Sequence, residues 1–225
     1  MALKLVVFDM DGTLVDSQGL IFESFTAAFA AVGRTPPPRA QVLGGVGLSL
    51  PQAMAALMPG APDREIDRAV QAYRAHYFSA RAEGGARSVP LFEGAREAIE
   101  ALAARDEVLI GAATGMARRG LDFVLEVHGL GRHFVTRQTA DTHPSKPAPA
   151  MLQAALAEAG VGPTGAVMVG DTTYDIEMAR NAGVPSIGVS WGHHRPEALR
   201  AAGAERVIDR FAQLVPALDD IWRTT

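Results

Sequence analysis

The sequence predicts an α/β protein: a parallel sheet covered by helices on both faces, with a helical segment inserted after the first strand. Three observations carry this. From residue 87 onward, short apolar runs alternate with segments of helical period. One more apolar run, Leu3–Phe8, stands near the N-terminus. Between the two lie residues 16–86, which show helical spacing and turns but no strand-like run. The expected layout is a core of residues 1–15 and 87–225, interrupted by a helical insert over 16–86.

Leu3–Phe8 reads as a buried strand, and the polar turn Asp9–Thr13 follows it. From Ser17 to Val32, Leu20, Ile21, Phe25, Ala28, Phe29 and Val32 recur at helical spacing. Thr35-Pro36-Pro37-Pro38 stops that helix. Leu43–Leu50, with three glycines, reads as a loop, and Pro51–Met58 as a short helix with proline at its first position. A longer helix starts at Pro62-Asp63, runs to about Ala82, and ends at Gly84-Gly85. In the second part, helices are expected over 94–104, 116–128, 148–159, 173–182 and 196–202, with one more at the C-terminus. Strands are expected over 108–113, 134–135, 166–169, 186–189 and 206–208.

Composition narrows the function. The chain of 225 residues is 48% hydrophobic and 20% charged, with a formal net charge of −4. This is ordinary globular usage, and it disfavours a non-specific nucleic-acid binder, which would be basic. With no cysteine, disulfides, thiolate metal sites and cysteine nucleophiles are excluded. The N-terminal apolar run is short and meets Asp9 at once, unlike a secretory signal. No stretch of 18 apolar residues exists, so no membrane partner is expected, and a cytoplasmic location is.

In open parallel sheets, ligands bind beyond the carboxyl ends of the strands. Polar residues collect at those ends: Asp9 and Asp11 after the first strand, Thr114 and Gly115 after the second, and Gly170, Asp171 and Asp175 after the strand at 166–169. Lys146 precedes the helix at 148–159. A cap or turn role explains any one of them, as Asp171 could cap the helix starting near Thr173. It does not explain all of them together. Two carboxylates two apart on a turn can face one pocket. One can attack phosphorus, and the other can pass a proton to the leaving oxygen and take one from water. Their repulsion is relieved by a divalent cation, and an oxygen-rich site with a phosphate suits Mg²⁺. Thr114 and Lys146 supply a hydroxyl and a cation for phosphate oxygens.

Four segments, Val7-Phe8-Asp9-Met10-Asp11-Gly12-Thr13-Leu14, Ala113-Thr114-Gly115, Ser145-Lys146-Pro147 and Val169-Gly170-Asp171-Thr172-Thr173-Tyr174-Asp175, resemble the four ordered motifs of the haloacid dehalogenase-like hydrolases. The resemblance implies a Rossmann-like core with a small helical cap. It implies that Asp9 is the nucleophile and Asp11 the general acid/base, and that Thr114, Gly115 and Lys146 bind the phosphoryl group. Mg²⁺ would be held by Asp9, the backbone carbonyl of Asp11, and Asp171. Asp175 would orient metal-bound water from outside the ligand set.

Within this family the residues separate the chemistries. Dehalogenases proper lack the second aspartate of the first motif, which is present here as Asp11. Phosphonate-cleaving relatives need a cap lysine, and residues 16–86 contain none. Sugar phosphomutases carry charges in the cap segment that reads here Val42-Leu43-Gly44-Gly45-Val46-Gly47-Leu48-Ser49-Leu50. The expectation is a phosphatase of a small phosphorylated metabolite, as a monomer or homodimer, with a phosphomutase or a non-catalytic regulator as the alternatives. Gly47-Leu48-Ser49, the Asp141–Pro147 stretch and Ser190-Trp191-Gly192 resemble the phosphoglycolate phosphatase-like group, which makes Gly47, Leu48 and Ser49 candidate substrate contacts. His193-His194 has no evident third ligand and is not expected to bind metal. Arg118-Arg119 reads as a solvated face, and Trp191, Met54 and Met58 as packing.

Of the 21 basic residues only Lys4 and Lys146 are lysines. A lysine kept at the third motif points to a need for a compact ammonium, since a guanidinium is larger and planar. Lys146→Arg should lower kcat by about tenfold to a thousandfold, as other displaced transition-state contacts do. Lys4→Arg should leave it unchanged. Steady-state kinetics on both variants decide this, and equal activity would remove Lys146 from the phosphate site.

Overall fold

The computed structural model describes residues 2–224. Six strands form one parallel sheet: β1 (Lys4–Phe8), β2 (Val108–Thr114), β3 (Phe134–Thr139), β4 (Ala166–Gly170), β5 (Ser186–Val189) and β6 (Arg206–Ile208). Their order is β3-β2-β1-β4-β5-β6, with every neighbouring pair parallel. β1 is central, and its neighbours are the two strands that carry Thr114 and Gly170 at their ends.

The strands are apolar throughout because both faces are covered. In β1, Val6 and Phe8 enter one core, while Leu5 and Val7 enter the other. β4 repeats this alternation, with Val167 and Val169 on the first side and Ala166 and Met168 on the second. The first face is covered by α5 (Ala95–Ala103), α6 (Arg118–Val127) and α10 (Leu214–Thr224), through buried residues such as Ile99, Leu121 and Leu218. The second is covered by α7 (Ala150–Ala159) and α8 (Thr173–Ala182), through Leu152, Ala155 and Met178. α9 (Pro196–Ala202) connects β5 to β6.

Between β1 and β2 the chain forms α1 (Gln18–Ala31), α2 (Arg39–Leu43), α3 (Leu50–Leu57) and α4 (Asp63–Gly84) before α5. α1 and α4 pack along each other, with Phe25, Phe29, Val70 and Tyr73 buried. Arg81, in the last turn of α4, ties this pair to α6. It is buried, donates from Nη1 to the Gly120 carbonyl at 3.0 Å, and lies between the rings of Tyr77 and Phe123. No helix among the described residues is long and apolar enough to cross a membrane.

Several boundaries differ from the sequence expectation. β3 reaches Thr139 rather than stopping at Val135. Its second half, Thr136-Arg137-Gln138, is polar and shows no strand signal because β3 is an edge strand. Thr136 donates to Glu158 of α7 at 2.5 Å, and Arg137 to the Gly131 carbonyl at 2.7 Å. α2 falls mostly in residues 39–42, for which no element was expected, and it is only five residues long. α6 and α7 start two residues later than expected, because Met116-Ala117 and Ala148-Pro149 belong to the turns that carry Gly115 and Lys146.

Candidate active site

Asp9 leaves the end of β1 with its N–H donating to the Val169 carbonyl of β4 at 2.9 Å. The chain then turns tightly. The Met10 carbonyl accepts from Leu14 and Val15 at 2.9 and 3.0 Å, and Gly12 sits at φ 82°. A side chain at Gly12 would collide with Asp171 and His193, so both conformation and space demand glycine there. Asp9 and Asp11 both line one cavity. Asp11 accepts a short hydrogen bond from the buried Ser17 hydroxyl.

Lys146, itself buried, places Nζ 2.6 Å from Asp175 Oδ1 and 2.9 Å from Asp9 Oδ1. The second contact is an ion pair whose angle leaves Asp9 Oδ1 without a directed hydrogen bond. Asp175 is the third residue of α8, and Thr172, not Asp171, caps that helix. Asp175 accepts from the Thr172 N–H at 3.0 Å and from its hydroxyl at 2.7 Å, closing a capping box.

Asp171 is fully buried and held by three hydrogen bonds. It accepts from Thr13 Oγ1 at 2.9 Å, and from both the N–H and the ring Nδ1 of His193 at 2.7 Å. His193, not expected to bind metal, thus serves as a hydrogen-bond partner of Asp171. His194 Nδ1 accepts from the Thr173 N–H at 3.0 Å at the start of α8, and its Nε2 lies 3.3 Å from the Gly44 carbonyl. Sequence reasoning also passed over Ser17, Arg81 and the tyrosines of α4. A buried serine six residues after Asp11 carries no local signal.

Burial pushes the Asp9 carboxyl up to about 7, opposed by Lys146 and helped by Asp175 and Asp171. Burial likewise raises Asp11, against the Ser17 hydrogen bond and the Arg81 charge. For Asp171 burial also pushes upward, but the His193 hydrogen bond and charge outweigh it and hold that carboxyl below its usual range. Burial alone would lower Lys146, yet Asp175 and Asp9 keep it firmly charged.

Oxygens of Asp9, Asp171 and Asp175 lie within 4.8 Å of one another, all buried. Asp9 and Asp175 share Lys146, Asp171 is paired with His193, and one Asp9 oxygen lacks a directed donor. This donor set fits a hard divalent cation. The Asp11 side chain lies outside that cluster and bonds Ser17 instead.

Thr114, buried at the end of β2, accepts from the Met116 N–H at 3.2 Å. Thr114 and Gly115 line the same cavity as Gly47, Leu48 and Ser49. That loop lies directly on the sheet end. Ser49 N–H donates to Ser145 Oγ at 2.7 Å, and a Cβ on Gly115 would stand 2.6 Å from the Leu48 carbonyl oxygen. Arg118 and Arg119 are both exposed, as a solvated face requires, and each also makes a local contact. The Arg118 N–H donates to Asp141 at 2.6 Å, and the Arg119 guanidinium lies 4.5 Å from the Phe78 ring of α4. Trp191 donates to the Thr13 carbonyl at 3.1 Å and packs on Phe211 and Phe92.

Residues 6–189 match the haloacid dehalogenase-like hydrolase family, and the chain belongs to it. A phosphoglycolate phosphatase of Rhodospirillum rubrum is 35% identical over 216 residues, covering 94% of this chain and 89% of the relative. A protein of Dickeya dadantii named "Probable phosphatase IndB" is 33% identical over 216 residues, covering 95% and 92%. In fold, a hydrolase of Pseudomonas syringae superposes with a TM-score of 0.84 at 23% identity, over 97% of this chain and 99% of the other.

Two predictions follow from this geometry. Gly115→Ala should displace the 47–49 loop and cost about tenfold to a hundredfold in kcat/KM, with the circular-dichroism spectrum retained. The second uses Asp9, whose folded pKa is raised above its unfolded value. Its contribution to stability is full below about pH 4 and lost as pH rises through about 7. In chelator, the melting temperature of Asp9→Asn relative to the parent protein should therefore rise between pH 5 and pH 8, whatever constant offset the lost Lys146 contact adds. A relative melting temperature that falls as pH rises would contradict the assignment.

Proposed function

We propose that this chain is a Mg²⁺-dependent phosphatase that hydrolyses a small organic phosphate monoester through an aspartyl-phosphate on Asp9. The observation that carries the reading is the convergence of Asp9, Asp11 and Thr114 on one cavity, with Lys146 paired to Asp9. The relatives named phosphatases support it. Residues 1–15 and 87–225 act as the catalytic core, and 16–86 as a cap over the cavity.

Asp9 and Asp171, with the Asp11 backbone carbonyl, would hold the cation, while Asp175 fixes Lys146. When bound, Mg²⁺ supplies positive charge that offsets the repulsion between the carboxylates and the phosphate. Lys146 favours the ionised form of Asp9 against the effect of burial and orients it. An Asp9 oxygen attacks phosphorus, the bond from phosphorus to the leaving oxygen breaks, and Asp11 gives its proton to that oxygen. Burial of Asp11 favours the protonated form this step needs. In the second step water attacks phosphorus, Asp11 takes the water's proton, and the bond to Asp9 breaks to release inorganic phosphate. Thr114 and Gly115 bind the phosphoryl oxygens. The loop Gly47-Leu48-Ser49, closed on the core, limits access of bulk water between the steps.

Phosphate release from p-nitrophenyl phosphate tests this directly. Activity should vanish in EDTA, return with Mg²⁺ and return poorly with Ca²⁺, whose looser shell misplaces the reacting atoms. Asp9→Asn should abolish turnover, because an amide cannot form the acyl phosphate. Full activity in exhaustively chelated enzyme, or in clean Asp9→Asn protein, would refute the reading.

A further inference from the structure

Four aromatic residues line the cavity that Asp9 and Asp11 share: Phe25 of α1, and Tyr73, Tyr77 and Phe78 of α4. Their rings form one continuous chain. Phe25 meets Tyr73 edge-on with centroids 4.8 Å apart, Tyr73 stacks on Tyr77 at 5.5 Å and 19°, and Tyr77 meets Phe78 edge-on at 6.4 Å. Aromatic residues four apart on a helix often do no more than pack it, and here they do hold α4 to α1. Three further features go beyond packing.

First, the Tyr73 hydroxyl has no hydrogen-bond partner among the described residues, although only 9% of the residue is exposed. Burial and the charge of Asp11 raise both phenols well above their usual range, so they stay protonated donors. Second, the cavity holds about 340 Å³. Taking about 30 Å³ per water, that is room for roughly eleven waters, more than a two-carbon acid and its phosphate need. Third, among the described residues the lining contains a single basic side chain, Arg74, and it is exposed. No buried cation in that lining awaits the carboxylate of a small phosphorylated acid.

We infer that the alcohol released at this site carries a flat, largely apolar ring, aromatic or heteroaromatic, seated among Phe25, Tyr73, Tyr77 and Phe78. This rests on the phosphatase reading and specifies its substrate class. Tyr73 and Tyr77 are then specificity-determining residues. The parts of their rings that line the cavity take the leaving group, and the Tyr73 hydroxyl is free to donate to a polar substituent on it.

The test compares benzyl phosphate with 2-phosphoglycolate and ethyl phosphate. All three leave as alcohols, so differences report the pocket rather than leaving-group chemistry. Calorimetric binding of 2-phenylethylphosphonate and 3-phosphonopropionate, which cannot be hydrolysed at an ester, runs beside the kinetics in Mg²⁺. The expected kcat/KM for benzyl phosphate is at least tenfold above either comparison ester, with the phenylethyl phosphonate the tighter ligand by a similar factor. Tyr73→Leu should shrink both ratios, while Tyr73→Phe, which keeps the ring, should preserve them. Phosphate release with no binding preference, or with 2-phosphoglycolate equal or better, overturns the ring site and leaves the phosphatase reading standing. A binding preference without phosphate release from any ester sustains the ring site and overturns the phosphatase reading instead.

Discussion

One buried ammonium group organises the carboxyl end of the sheet. Lys146 Nζ sits between Asp9 and Asp175, which come from different strand ends, and all three residues are out of water. Such an arrangement is costly to desolvate, and losing one partner leaves an uncompensated charge, typically worth about 3–5 kcal/mol. It therefore holds three chain segments in one geometry: the end of β1, the turn before α7, and the first turn of α8. Asp175 is fixed in turn by the Thr172 capping box, where helix amides favour a negative charge. The lysine does not neutralise the whole cluster. Burial, and after it the charges of Asp175 and Asp171, lift Asp9 to about 7, an environment that suits a cation.

Sheet order brings the participants together. β1 lies between β2 and β4, so residues as distant in sequence as Asp9, Thr114 and Asp171 emerge from three adjacent strands. The rule that ligands sit beyond the carboxyl ends of parallel strands then becomes a matter of spacing between neighbours. A second ring of contacts supports this first one. Thr13 and His193 hold Asp171, Ser17 holds Asp11, and Trp191 holds the Thr13 carbonyl. The loop from Gly44 to Ser49 closes over it, bonded through His194 and Ser145 and lying close on Gly115. The carboxylate-bearing end of β1 and the loop over it thus line one cavity, and the aromatic chain of α1 and α4 lines it as well.

The signals that failed did so for identifiable reasons. The polar half of β3 is paired on one side only, so it needs no apolar run, and its Arg137 and Thr136 are satisfied by Gly131 and Glu158. α2 is too short to show a period. His193 looked unremarkable because its partner, Asp171, is 22 residues away and is met only after the chain has passed through β5. Arg81 carries no local signal in the sequence, and its contacts with Gly120 and Phe123 place it in the interior.

What the sequence determined by itself is what local pattern can encode. Alternating apolar runs specify strands buried on both faces, helical periods specify their covers, and Asp9-Met10-Asp11-Gly12 carries its own tight turn. Four ordered motifs were enough to indicate the family and the kind of chemistry. The tertiary structure decided which side chains complete the site: Ser17 on Asp11, His193 on Asp171, Asp175 on Lys146, and the tyrosines of α4 above the carboxylates. It also decided that Gly115 must be bare, because the Leu48 carbonyl passes over it. These contacts join elements whose mutual placement depends on strand order and helix packing. No residue period records that placement, since a period reports which face of an element is buried and not what lies against it.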